Sequence, residues 1–264
     1  MLIIPNIIAN LFSKHLIACI FLVLLANQKV FSAETNVIAL FGDSITVGEN
    51  NAFPWPLRPF TANGRIANQG AFPPLPPSDG LDTLLIAQDR PSTVVNWGIG
   101  GSTTDTGAAR IFGNIGFTRA TIPADNYYVL IMYGTNDFGG GLSESTTGFN
   151  TLLMIDRARA AGYIPVIGTL TPRIDRDVTP YNQQIIAAAN IRGVPVVDHF
   201  SRFWQFGFDL LDVEVFNGSI VRLHPTAFGY TVIQQLWFDA FLANAIEPIG
   251  NIVISPILEL LLDE

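Results

Sequence analysis

Five short apolar runs, separated by longer stretches with helical spacing, restrict this chain to one kind of architecture. They are "NVIALF" (36–41), "TVVNWG" (93–98), "YYVLIMY" (127–133), "IPVIGTL" (164–170) and "VPVVDH" (194–199). Each is β-branched and continuously apolar rather than alternating, the pattern of strands with both faces covered. Between the third and fourth runs, "STTGFNTLLMIDRARAAG" has apolar positions at helical spacing, a cap at Ser145 or Thr146 and a stop at Gly162. "TPYNQQIIAAANIRG" repeats the plan, with Thr179 as cap, Pro180 in the first turn and Gly193 at the end. "HPTAFGYTVIQQLWFDAFLANA" reads as a closing helix. Alternating strands and helices call for a parallel sheet with helices on both faces. The expected fold class is therefore α/β, a three-layer α/β/α sandwich with about five parallel strands. Such sheets bind ligands outside the carboxyl ends of the strands. Ser44, Gly101 and Asn136 follow the first, second and third runs at that edge.

Two regions break the rhythm. Residues 50–92 contain "FPWPLRPF" and "FPPLPPSDG" and read as a long loop with one short helix over Leu81–Gln88. A loop of that length at a strand's carboxyl edge either shapes a substrate cleft or covers the sheet. The tail at 247–264, "EPIGNIVISPILELLLDE", is apolar and reads as packing on the domain or on a second copy.

The N-terminus has the layout of a signal peptide: Lys14, the apolar run "LIACIFLVLLA" (16–26), then "NQK" and "VFSA". Cleavage is expected after Ser32, or after Ala33, leaving one domain over 33–264. The apolar core is shorter than the ~20 residues of a comfortable membrane span. "LIAC" mimics a lipoprotein box, but Cys19 follows Lys14 too closely to be one. Export places the protein in an extracytoplasmic compartment, secreted or periplasmic, with no membrane contact once processed.

Removing residues 1–32 takes away both lysines and the single cysteine. What remains has twelve arginines against 22 acids, a net charge of −10, and two histidines, His199 and His224. That inventory excludes a thiolate nucleophile, a disulfide framework, a Schiff-base lysine, a phosphate-loop lysine and a three-histidine zinc. No cofactor and no metal are expected. An acidic surface without lysine also argues against nucleic acid as a partner.

The remaining chemistry centres on serine. "ALFGDSITVGEN" (39–50) joins the first strand to a turn that exposes Ser44. A serine hydroxyl is a weak nucleophile until a base takes its proton, and histidine is suited to that role. His199 ends the fifth run beside Asp198, and His224 lies in "RLHPTAFGY" directly before Pro225. Acyl transfer also needs fixed donors for a negative oxygen. "NWGIGGSTT" (96–104) offers backbone N–H groups at glycines, and "YGTND" (133–137) offers the amide of Asn136. Taken singly, each of these is also an ordinary turn feature.

Together, "FGDS", "NWGIGGST", "YGTND" and "HPTAFGY", in this order, resemble the four blocks of the SGNH (GDSL-type) hydrolases. The resemblance covers nearly all of the chain after residue 32. It implies a flavodoxin-like α/β/α sandwich and ester hydrolysis without metal or cofactor. Position by position, it implies Ser44 as nucleophile and His224 as general base. Ser44 N–H, Gly101 N–H and the Asn136 amide would form the oxyanion hole. Asp43 and Asp137 become structural residues of their turns.

One block departs from the family pattern. The aspartate expected three residues before the histidine is Val221, and "NGSIVRLHP" holds no acid. Asp212 or Glu214 from the preceding loop, a backbone carbonyl or a water are the candidates to orient His224. The implied activity is an exported serine esterase acting on short-acyl or O-acetyl-carbohydrate esters. Alternatives are a lysophospholipase-type lipid esterase, an O-acyltransferase, or a non-catalytic carbohydrate-binding relative using Trp55 or Trp97 as stacking surfaces. The substrate is a small-molecule or carbohydrate ester in each case.

Overall fold

Strand β1 (Asn36–Gly42) is the centre of the molecule, because it pairs in parallel with a strand on either side. The computed structural model describes residues 35–48, 81, 84–85, 92–216 and 219–246. After β1 the chain forms a short helix α1 (Ser44–Val47), then β2 (Ser92–Asn96), α2 (Thr104–Thr121) and β3 (Asn126–Met132). It continues with α3 (Glu144–Ala160), β4 (Ile164–Gly168), α4 (Thr179–Ile191), β5 (Val196–Val197) and α5 (His199–Trp204). A hairpin of β6 (Leu211–Phe216) and β7 (Ser219–Pro225) precedes the last helix, α6 (Ala227–Ile246). The five parallel strands lie in the order β2-β1-β3-β4-β5, and the hairpin forms a separate two-stranded sheet. This is the three-layer α/β/α sandwich that the alternation predicts, and its strand order is the flavodoxin-like one.

The core divides by strand parity. Val37, Ala39 and Phe41 face one layer with Tyr127, Val129 and Ile131, against Ala108, Ile111, Met154, Ile155 and Ile185 of α2, α3 and α4. Ile38 and Leu40 face the other with Leu130 and Val166, against Phe203, Tyr230, Ile233, Trp237 and Phe241. Both sides of each central strand are dry, which is why the sequence shows continuous apolar runs there.

Several boundaries differ from the sequence reading. Helix α2 was not anticipated, since three glycines lower its propensity. Packing overrides propensity here: Ala108, Ile111 and Ile115 are buried on the sheet. Gly107 is required outright, because a Cβ there would meet the Tyr133 ring at 2.9 Å. Helix α3 is capped by Ser143, whose Oγ accepts from Thr146 N, rather than by Ser145 or Thr146. At α4 the N-cap position is Val178, and Asp177 Oδ1 accepts from Thr179 N at 2.8 Å, taking the role expected of Thr179. The fifth strand is only Val196–Val197, because Asp198 turns the chain into α5 by capping Ser201 N.

No helix among the described residues is long and apolar enough to cross a membrane. The expected signal peptide, nearly all of the 50–92 insertion with Trp55, and the 247–264 tail lie outside the described residues.

Candidate functional site

Strand order places three candidate donors side by side. Ser44 follows β1, Gly101 follows β2 and Asn136 follows β3, and these strands are neighbours in the sheet. The chain leaves β1 toward β2 and returns on the far side to β3, so a crevice opens at the carboxyl end of β1. Asp43 caps α1 by accepting from Ile45 N at 3.0 Å, which sets Ser44 as the first helical residue. Its backbone N–H therefore belongs to the first turn, whose N–H groups have no intrahelical acceptor.

Asn96 fastens this corner. Its side-chain amide donates to Thr46 O at 2.7 Å, and its Oδ1 accepts from Gly98 N at 2.8 Å. Ile99 N donates to Gly42 O at 3.1 Å, so the loop that carries Gly101 is stitched to the end of β1. Gly101 has φ +71°, a conformation glycine adopts readily and other residues resist. Asn136 Nδ2 donates to Ser102 O at 3.0 Å, joining the second and third donors. An amide nitrogen carries two hydrogens, so one remains to meet a ligand oxygen.

The candidate base comes from the hairpin. His224 Nε2 lies 2.9 Å from Ser44 Oγ, and His224 Nδ1 lies 2.7 Å from Glu214 Oε1. Glu214 Oε2 also accepts from His224 backbone N at 3.2 Å, so one carboxylate grips both ring and main chain. Burial pushes the Glu214 carboxyl up, but hydrogen bonds from His224, its charge and that of Arg173 outweigh burial and leave it lowered. An ionised Glu214 accepts only, so Nδ1 carries the proton and Nε2 is the acceptor facing Ser44. The set can pass the Ser44 Oγ proton to Nε2 and stabilise the imidazolium that results.

The question raised by Val221 is answered by register. Glu214 is the direct cross-strand partner of Val221 in the hairpin, so the acid has moved across the ladder instead of disappearing. Of the two acids the sequence offers, Glu214 holds the imidazole. Val221 is itself buried, as an apolar position under the hairpin.

The profile of the GDSL-like lipase/acylhydrolase family matches residues 40–232. The chain belongs to that family. A search of curated proteins gives no significant match. Among solved structures, a lipase/acylhydrolase from Enterococcus faecalis is similar at 19% identity and TM-score 0.56, over 79% of this chain and 96% of that one. The psychrotrophic esterase EstA from Pseudoalteromonas sp. is similar at 15% identity and TM-score 0.56, over 80% of this chain and 100% of that one. An acetyl-xylooligosaccharide esterase from Geobacillus is similar at 19% identity and TM-score 0.55, over 85% and 100%.

Around the site of this GDSL-like hydrolase, the other polar residues brace. Asp137 is fully buried and accepts from Thr104 N, Thr104 Oγ1 and Thr147 Oγ1 at 2.8, 2.5 and 2.5 Å. Burial raises its pKa against the pull of those bonds. Arg173 donates to Thr135 O at 3.0 Å and pairs with Asp175 through two contacts of 2.8 Å. Trp97 is half-buried: its Nε1 donates to Thr118 Oγ1 at 2.9 Å and its ring packs against the core. His199 is fully buried, edge-on to Trp237 at 4.7 Å, and burial lowers its pKa to about 3. It is a core residue, away from the Ser44 pair. No group of three His, Cys, Asp or Glu that could hold a metal ion occurs among the described residues.

Sequence reasoning singled out Ser44, Gly101, Asn136 and His224, and the structure brings Ser44 and His224 into hydrogen-bond contact. It left the orienting group open and passed over Asn96, Arg110 and Arg173. One signal was present: Asn217-Gly218 between the alternating runs "LDVEV" and "SIVRL" is a hairpin signature that would have paired Glu214 with the His224 strand.

Proposed function

We propose that the protein is an exported serine esterase working through an acyl-Ser44 intermediate, with short-acyl or O-acetyl-carbohydrate esters as substrates. The observation that carries this reading is the unbroken series from Glu214 Oε1 to His224 Nδ1 at 2.7 Å and from His224 Nε2 to Ser44 Oγ at 2.9 Å. In the cycle, Ser44 Oγ adds to the ester carbonyl carbon and its proton passes to His224 Nε2. The carbonyl oxygen becomes an oxyanion held by the N–H groups of Ser44 and Gly101 and the Asn136 amide. Collapse expels the alkoxide, which takes the proton from His224. Water then attacks the acyl-enzyme with His224 as base, and free Ser44 and the acid are released. Glu214 holds the imidazole in the working tautomer throughout.

Support for the substrate class comes from the acidic, lysine-poor chain and from a fold shared with an acetyl xylan esterase and an acetyl-xylooligosaccharide esterase at TM-scores of 0.54 and 0.55. A lipid-ester reading has one observation in its favour: Val215 and Ile220, cross-strand partners in the His224 hairpin, are 73% and 68% exposed. The non-catalytic reading rested on Val221, and Glu214 removes its motive.

Hydrolysis of p-nitrophenyl acetate, butyrate and longer acyl esters, beside folded Ser44→Ala and His224→Ala variants, tests the proposal. Activity on acetate and butyrate that is lost in both variants is expected. Activity surviving Ser44→Ala overturns the assignment, and a preference for long acyl chains selects the lipid-ester reading. N-terminal sequencing of the exported protein tests cleavage at Ser32 or Ala33.

A further inference from the structure

Behind the three donors runs a hydrogen-bonded chain whose direction can be read atom by atom. Ser102 Oγ donates to Ile99 O at 2.6 Å, which uses its only hydrogen. The 2.5 Å contact between Ser102 Oγ and Tyr133 Oη therefore has Tyr133 as donor. Tyr133 Oη in turn accepts from Arg110 Nη2 at 3.1 Å, and the same Nη2 donates to Gly42 O at 3.1 Å. Arg110 reaches this point from α2 with its guanidinium 4.1 Å over the Phe41 ring. Burial pushes the Tyr133 phenol up, so it stays a donor at working pH.

Each end of this chain meets the site. Ser102 follows Gly101 in sequence, and its carbonyl holds the Asn136 amide at 3.0 Å. Gly42 ends β1 and leads to Ser44 through Asp43. One arginine and one tyrosine thus tie the strand behind the nucleophile to the turn that presents Gly101, whose Ser102 carbonyl in turn holds Asn136. Successive hydrogen bonds of this kind polarise and stiffen one another. Donors held in advance of the reaction are what stabilises an oxyanion, because nothing has to reorganise as charge develops.

We propose that Tyr133 and Arg110 are positioning residues of the oxyanion site, acting through Ser102 on Gly101 and Asn136. The proposal rests on the Ser44 reading above. Neither side chain touches substrate, so their effect appears in the transition state and not in substrate binding.

The test is Tyr133→Phe, which removes only the hydroxyl and keeps the ring against Gly107 and Phe41. Direct loss of an oxyanion donor costs ~10²–10³-fold in kcat, and an indirect brace is expected to cost about 10-fold. The drop on p-nitrophenyl acetate should lie in kcat with KM within about twofold, and the affinity of a trifluoromethyl ketone transition-state analogue should fall in parallel. The pH profile should not move, since the base is untouched. Ser102→Ala provides a second variant, read per folded molecule after a melting-curve check, and should reproduce the same split. Tyr133→Phe and Ser102→Ala both within twofold of the parent in kcat and inhibitor affinity would overturn the proposal. So would a loss confined to melting temperature. Ser44→Ala is run alongside: if it retains activity, the site assignment itself fails and this proposal falls with it.

Discussion

Ser44, Gly101 and Asn136 stand on the rim of a five-stranded sheet, whereas His224 and Glu214 stand on a two-stranded hairpin. The rim is built on β1, which is bonded on both sides and buried on both faces. The hairpin pairs only with itself and exposes Val213, Val215 and Ile220. On its inner side Leu211 and Val221 are buried, Arg222 Nη1 donates to Phe208 O at 2.7 Å, and at its base Thr226 N donates to Leu210 O at 2.8 Å. A two-stranded sheet is marginal by itself. In the proposed cycle the half that meets developing charge is thus part of the central sheet, and the half that moves protons is part of a separate two-stranded one.

Perturbing each half separately gives different signatures. The largest effect is expected at the junction: Ser44→Ala or His224→Ala should lower kcat by ~10⁴-fold or more, measured on p-nitrophenyl acetate with melting temperature unchanged. Next comes Glu214→Gln, which keeps the shape but removes the charge that fixes the tautomer, for a loss of ~10²–10⁴-fold. Because Glu214 faces Val221, adding Val221→Asp to a Glu214→Val background should recover part of that rate. No recovery would mean that the hairpin register, and not only the charge, sets His224.

On the sheet side the cost appears in stability. Asp137→Asn puts an amide N–H where two threonine hydroxyls donate, in a fully buried place, and should cost about 2–4 kcal/mol in denaturant unfolding. A smaller effect is expected from pH. His199 has a folded pKa lowered to about 3, so the unfolded chain binds its proton first as pH falls below the ordinary histidine value of 6.5. Stability should then fall by about 2 kcal/mol between pH 6.5 and 5. A His199→Leu variant should flatten that slope. Glu214 has a lowered folded pKa and adds its own loss only below the ordinary glutamate value of 4.5. The smallest effect is expected from Arg222→Met, which loosens the hairpin. It should lower kcat by a few-fold, speed hydrogen exchange in β6 and β7, and leave β1 and β3 protected. Equal exchange rates in the hairpin and the central strands of the parent protein would break the comparison.

The sheet half was also the more legible one. Strands buried on both faces must be apolar throughout, so β1, β2 and β3 could be read directly, while the donors in the turns after them were picked out by the resemblance of the blocks. Three glycines speak against a helix at α2, and only packing against Tyr133 shows why one of them, Gly107, is there; Gly113 and Gly116 face open space. The hairpin was read as loop because its residues alternate over short runs and bury only one side.

The sequence by itself determined the layered architecture, the place of Ser44 at the end of β1 and the identity of the histidine. Burial on two faces leaves the architecture little freedom, and the resemblance of the four blocks, rather than elimination, chose His224 over His199. Only the tertiary structure decided which acid serves His224 and what steadies the oxyanion turn. Both depend on contacts between residues distant in sequence or across a ladder: Glu214 opposite Val221, Tyr133 against Ser102, Arg110 against Gly42. Strand register and helix packing create those contacts, and a change of one residue in register would turn Glu214 to the opposite face of its strand.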